Sequence, residues 1–155
     1  MSKLRILHFN DVYNIQENPK KAYKGGAARF VTAMQHYQDK ARSEGVDCLT
    51  VFSGDLLSPS LISTMFEGEQ MVPSFNSIGV DVACIGNHDL DFGIEQMDTV
   101  LRKTMKPLGK CQWVMTNLLT EDQSLDGQES IGCCVRKVIV EKAGRKIGFM
   151  GIVEH

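Results

Sequence analysis

Short apolar runs alternate along the chain with stretches in which apolar side chains recur every three to four residues. That alternation argues an α/β fold. Residues 4–9 read as a first strand. Gly25-Gly26 then opens a helix over 27–42, with Phe30, Met34 and Tyr37 on one stripe. Gly45 stands where a helix C-cap is expected. Residues 48–52 form a second apolar run that leads straight into Ser53-Gly54-Asp55. A helix is predicted after Pro59, and a further one over 69–78. Residues 80–85 make a third strand, ending at Gly86-Asn87-His88-Asp89. Helical spacing resumes over 94–105, with Met97, Val100, Leu101 and Met105 facing inward. Residues 113–115 make a fourth strand, followed by polar Asn117. Residues 135–140 and 146–153 flank Ala143-Gly144-Arg145, a hairpin signal. No repeat, low-complexity tract or linker interrupts this order.

Composition changes the picture little. At 155 residues the chain fits one domain. Apolar residues at 43% and charged residues at 23% are ordinary for a soluble globular protein. A formal charge of −2 supplies no long-range field for nucleic acid or an anionic membrane. No apolar run approaches the roughly eighteen residues needed to span a bilayer, and the N-terminus lacks a signal-peptide stretch. Five cysteines, none in CxxC spacing, argue against a disulfide framework; Cys48 and Cys84 read as buried free thiols. Adjacent Cys133 and Cys134 point to opposite faces of a strand. The chain reads as cytoplasmic, binding neither nucleic acid nor membrane.

The chemistry sits at the strand ends. Asp11, Asp55 and Asn87-His88 each follow a predicted parallel strand, and the carboxyl ends of neighbouring strands share one crevice. Oxygen ligands with a histidine suit Mn, Zn, Fe or similar ions better than a soft thiolate site would. A carboxylate between two strands can bridge two cations roughly 3.5–4 Å apart, the separation of two-metal hydrolases. Taken singly, Asp11 is an ordinary Asx-turn acceptor and Gly54-Asp55 an ordinary turn dipeptide. Gly86-Asn87-His88-Asp89 is rarer, arising by accident in about one chain in a thousand or fewer of this length. The order and strand-end placement of all three argue for a site.

Leu7-His8-Phe9-Asn10-Asp11-Val12, Phe52-Ser53-Gly54-Asp55 and Gly86-Asn87-His88-Asp89-Leu90-Asp91-Phe92-Gly93 resemble the calcineurin-like metallophosphoesterase superfamily. The extended last motif resembles its 5′-nucleotidase branch in particular. The resemblance implies an α/β fold, the first half of a four-layer α/β/β/α sandwich in which two mixed sheets pack between helices. It implies hydrolysis of a phosphomonoester, such as a nucleotide or sugar phosphate, with two divalent metal ions as cofactors. In that pattern Asp11 is a ligand of the first metal, Asp55 bridges both, and Asn87 is a ligand of the second. His88 is the histidine that acts on the phosphate without ligating metal, and Asp91 is the carboxylate paired with it. Asp89 competes with Asp91 for that pairing.

Two departures bear on catalysis. The family's first motif reads Asp-x-His, and here Tyr13 stands in the histidine's place. A phenol with a pKa near 10 is a poor ligand for a divalent ion at neutral pH. His8 lies on the opposite strand face from Asp11 by simple alternation, which assigns it a core or supporting role; mid-helix His36 reads as solvated. The family's remaining histidine ligands, including a Gly-His-x-His motif, are absent from residues 1–155. Three protein ligands stand where two closed sites want about seven or eight, so these alone would not assemble a dinuclear centre. The chain also stops inside the run 147–155 with nothing to follow that strand, so the expectation is a single domain cut short. A non-catalytic half-domain that binds a partner or self-associates is the alternative. Half of a sandwich would expose apolar sheet surface, which predicts a symmetric homodimer.

Overall fold

A computed structural model of the chain describes residues 3–22, 24–105, 109–119 and 130–154. Four strands, β1 (Leu4–Phe9), β2 (Asp47–Phe52), β3 (Val82–Cys84) and β4 (Gln112–Val114), form one sheet in the order β1-β2-β3-β4. Every pairing in it is parallel, with Phe9 opposite Phe52, Phe52 opposite Ala83 and Ala83 opposite Trp113. A second sheet is the antiparallel hairpin β5 (Val138–Lys142) and β6 (Arg145–Phe149). Its two-residue turn holds Ala143 and Gly144 at φ 54° and 69°, as a tight hairpin of right-twisted strands requires.

The period-2 alternation of the strands sorts their side chains onto two faces. Phe9, Phe52, Ala83 and Trp113 face the helices α1 (Ala27–Ser43), α3 (Val72–Ile78) and α4 (Ile94–Arg102), which bury Met34, Phe75, Ile78, Met97, Val100 and Leu101 against them. The aromatic members interlock. Phe52 meets Phe75 edge-on at 5.3 Å, and Trp113 stacks on Phe75 at 5.6 Å. Each such ring taken from water stabilises the fold by about 1.5–3 kcal/mol. On the opposite face Val82 and Val114 pack against Val138 of the hairpin, with Val51, Val140 and Phe149 around them. The order is thus helices, parallel sheet, antiparallel sheet, with the second sheet lying on the first as the sandwich reading expects.

Several details differ from the sequence expectation. Tyr37 is half exposed, and Ala41 takes the buried place. The inward line of α1 runs through residues 30, 34, 38 and 41, so position 37 falls on its flank. Gln38 bridges Thr50 Oγ1 and the Ile78 carbonyl, both at 2.9 Å. The segment after Pro59 yields a single helical turn, α2 (Ser63–Phe66), before a 3₁₀ turn at Glu69–Met71 and then α3. α4 stops at Arg102, and Met105 is only half-buried in the turns beyond it. Cys48 and Cys84 are half-buried free thiols, whereas Cys111 and Cys134 are the buried ones. No described helix is long and apolar enough to cross a membrane.

Candidate metal centre at the strand ends

Parallel strands in register deliver their following loops to one edge of the sheet, and the three motifs meet there. The first two are joined through the backbone: Asp11 N donates to the Gly54 carbonyl at 3.0 Å and Val12 N to that of Asp55 at 3.1 Å. Gly54 has φ 107° and packs so tightly on Gly86 that a Cβ would strike the Gly86 backbone, so only glycine fits. Gly86 in turn lies against the Asp55 carboxyl group, with no room for a methyl. The glycines of both motifs are therefore spacing devices that let the carboxylate of Asp55 settle over the third strand end.

Asp89 fastens the second strand end to the third. It is wholly buried, and its Oδ1 accepts the N–H groups of Leu56 and Leu57 at 2.7 and 2.9 Å. Its Oδ2 accepts those of Asp55 and Gly86 at 3.0 and 2.8 Å. Burial holds the carboxyl above its ordinary pKa, against the pull of these four donors. Asp89 is thus fully engaged by backbone. The histidine's partner is Asp91, whose Oδ2 lies 3.0 Å from His88 Nδ1. That contact raises the His88 pKa against the opposing effect of desolvation, helped by the charges of Asp91, Asp55 and Asp89.

Asp55 is the hub. His88 N donates to its Oδ1 at 3.0 Å. Burial pushes its carboxyl up, the His88 N–H and ring pull it down, and Asp11 pushes it up again through charge and direct contact. Asp11 also accepts from the Asn10 amide. Both aspartates adopt left-handed backbone, φ 57° at Asp11 and 61° at Asp55, two of the four non-glycine residues with positive φ among those described. Such strain gathers at functional sites. Asn87 stands on the 3₁₀ turn Asn87–Leu90, exposed, its side-chain amide without a hydrogen bond among the described residues.

This donor set fits the shared edge of a cation site. Two carboxyl groups pressed together, one raising the other's pKa, are stabilised by a cation between them, and the Asn87 amide adds a neutral oxygen. It does not close the coordination of two ions: among the described residues no three His, Cys, Asp or Glu side chains converge on one point. Tyr13 lies in the wall of an adjoining cavity of about 390 Å³, beside Asp11. His8, given a core or supporting role by alternation, is exposed rather than in the core, and its Nε2 lies 2.6 Å from Ser53 Oγ at the second strand end. His36 is exposed, as expected. The role of Asp89 is the feature that sequence reasoning missed; its only signal was an acidic residue among glycine-rich strand ends.

The chain belongs to the calcineurin-like phosphoesterase family, whose model matches residues 4–149. Over 156 aligned residues it is 28% identical to a probable 5′-nucleotidase of Treponema pallidum, an alignment spanning 97% of this chain and 25% of that protein. It is 29% identical to the 5′-nucleotidase of Mus musculus over 116 residues, 68% of this chain and 19% of the mouse protein. The chain therefore spans about a quarter or less of the length of these relatives. Among solved structures, the 5′-nucleotidase precursor of Thermus thermophilus superposes with a TM-score of 0.74 at 18% identity, covering 97% of this chain and 28% of that one. That likeness concerns the fold.

Proposed function

We propose that this member of the calcineurin-like phosphoesterase family carries one part of a metal-dependent phosphomonoesterase centre, of the 5′-nucleotidase kind. Asp11, Asp55 and Asn87 would hold divalent cations of the Mn, Zn or Fe type, with Asp55 at the bridging place. The observation that carries the reading is the position of Asp55, which touches Asp11 on one side and the His88 turn on the other. Bound cations would supply an activated water and neutralise charge on the phosphoryl group. His88 donates through Nε2: with Nδ1 held by Asp91, the outer nitrogen is the one left to meet a phosphoryl or leaving-group oxygen. The Asp91 contact keeps that nitrogen protonated to higher pH, which suits a proton donor. The relatives named 5′-nucleotidase support a 5′-nucleotide as the substrate. The five free thiols are in keeping with a reducing, cytoplasmic setting.

Calorimetric titration of Mn and Zn into the metal-free chain tests the reading, beside hydrolysis of p-nitrophenyl phosphate and AMP. At least one ion per chain should bind, and Asp55→Ala should abolish the binding; a chain that takes up neither metal sinks the proposal. Two ions with turnover would mean that the centre completes itself. Ion binding without turnover favours the second reading, a half-domain that binds or self-associates. Ile139, Met150 and Ile152, 65%, 72% and 74% exposed on the hairpin sheet and the segment after it, support that one. Under it, light scattering at micromolar concentration finds a dimer.

A further inference from the structure

The cavity beside Asp11 is not used by the chemistry above. It lies beneath the loop that joins β1 to α1 and is floored by α3. Its volume of about 390 Å³ falls in the range of small-molecule pockets. Val12, Phe30, Leu56, Met71, Phe75 and Ile78 make most of its wall, so the interior offers apolar side chains and two aromatic rings. Polar groups are few and specific. Tyr13 and Ser74 contribute hydroxyl groups that have no hydrogen-bond partner among the described residues, and Asn14 an amide whose Oδ1 accepts from Gln16 N. Arg29 is neutralised by its ion pair with Glu17. One wall is Asp11 itself. An apolar pocket with two unengaged hydroxyls and no free positive charge among its described residues suits a neutral ring, and its border on Asp11 puts that ring next to whatever Asp11 helps to hold.

We propose that this cavity is a specificity pocket of the phosphate site, taking a compact aromatic ring carried on a short arm by a phosphate monoester. The proposal rests on the reading of Asp11 and Asp55 as cation ligands, because the phosphate end of such a ligand lies there. Phe30 and Phe75 supply ring contacts, and the Tyr13 and Ser74 hydroxyls meet a polar atom on the ring edge. Tyr13, standing where the family's motif has histidine, thereby acquires a part in ligand selection.

Trp113, the single tryptophan of the chain, reports on the cavity because it stacks on Phe75 with only 17° between ring planes. The experiment follows its emission while phenol, phenyl phosphate and inorganic phosphate are titrated into the Mn-loaded chain. Phenol should give a saturable change, phenyl phosphate the same change at about tenfold or more lower concentration, and inorganic phosphate none. Ser74→Phe, which places a ring in the space, should weaken both ring ligands about tenfold or more. If that variant does not fold, Tyr13→Phe, on a half-exposed loop position, should still weaken phenol by about threefold or more. Asp55→Ala should remove the gain from phosphate and leave phenol binding in place. A wild-type chain silent to phenol overturns the pocket, even where Mn binds and the metal reading stands. Equal affinities for phenol and phenyl phosphate overturn its link to the phosphate site, and the separate Mn titration then shows whether the metal reading fails with it.

Discussion

Replacing Asp89 with asparagine preserves shape and removes one acceptor oxygen from a buried hub. The carboxylate serves four backbone N–H groups, two on each oxygen. The asparagine could keep one pair and would turn its own NH₂ donors toward the other. No water can compensate, because the residue has no exposed surface. A buried N–H left without an acceptor costs about 1–3 kcal/mol, so two cost about 2–6 kcal/mol. The neutral amide also avoids burying a charge, which works the other way and makes the lower half, about 2–4 kcal/mol, the expected loss. That is a large share of the roughly 5–15 kcal/mol of a whole domain. Urea unfolding followed by Trp113 emission measures it; with a slope of about 2 kcal/mol per M, the midpoint should fall by about 1–2 M. Either pair released includes the N–H of Asp55 or that of the residue after it, so Mn affinity should fall in the same variant. A midpoint within about 0.3 M of the parent would refute the clamp, since the strand-end loops would then hold without the carboxylate.

Three further outcomes check the site. Proton NMR should place the His88 pKa above the ordinary value of about 6.5, with a return toward it in Asp91→Asn. Since folding raises this pKa, the pair's stabilisation should be fully present below pH about 6.5 and lost as pH rises through the folded value, so the two chains should converge in stability above it. By calorimetry, Asp55→Ala should abolish Mn uptake and His88→Ala should leave it within about twofold; equal losses would mean that the two residues have been given the wrong roles. Gly86→Ala should destabilise by about 1–3 kcal/mol in urea and weaken Mn, because its methyl meets the Asp55 carboxyl although φ −99° is open to any residue.

The central strands were legible because buried parallel strands are short, mostly apolar runs, which the chain shows at residues 48–52 and 80–85, whereas the edge strand at 4–9 alternates, with Arg5 and His8 among its apolar residues. Their lengths were less so. Val80 and Ile85 are as buried as the strand between them, yet the ladder covers only Val82–Cys84, since its neighbour β4 has just three residues to offer. The helix predicted after Pro59 is a single turn, and the one predicted over 69–78 begins as a 3₁₀ turn, because periodicity does not register close backbone approach. Glu67 and Gly68 take positive φ there, and Gly68 presses on Leu57 where any side chain would clash. At the site, Asp11, Asp55 and His88 are in contact as the strand-end argument expects. The choice between Asp89 and Asp91 was beyond the sequence, because both fall within one turn of His88. Three dimensions separate them: Asp89 turns inward to the donors of the neighbouring loop, and Asp91 stays at the surface beside the ring.

The geometry of Asp11 and Asp55 belongs to the chain itself. Left-handed backbone costs an ordinary L-residue about 1–2 kcal/mol and aspartate less, and here two aspartates adopt it with their carboxyl groups in contact. Locally, the Asn10 amide donates to Asp11. The arrangement is held by Asp11 N and Val12 N bonding across to the second strand end, by Gly54 and Gly86 closing the gap, and by Asp89 tying that end to the third. On the proposed reading, stability spent in bringing two carboxylates together would prepare a cation site before any cation arrives. The repulsion between them is relieved when a cation binds, so metal should raise the unfolding midpoint as well as bind. On the proposed reading, the coordination left open by Asp11, Asp55 and Asn87 would fall to groups other than Tyr13, whose ring lines the apolar cavity next door.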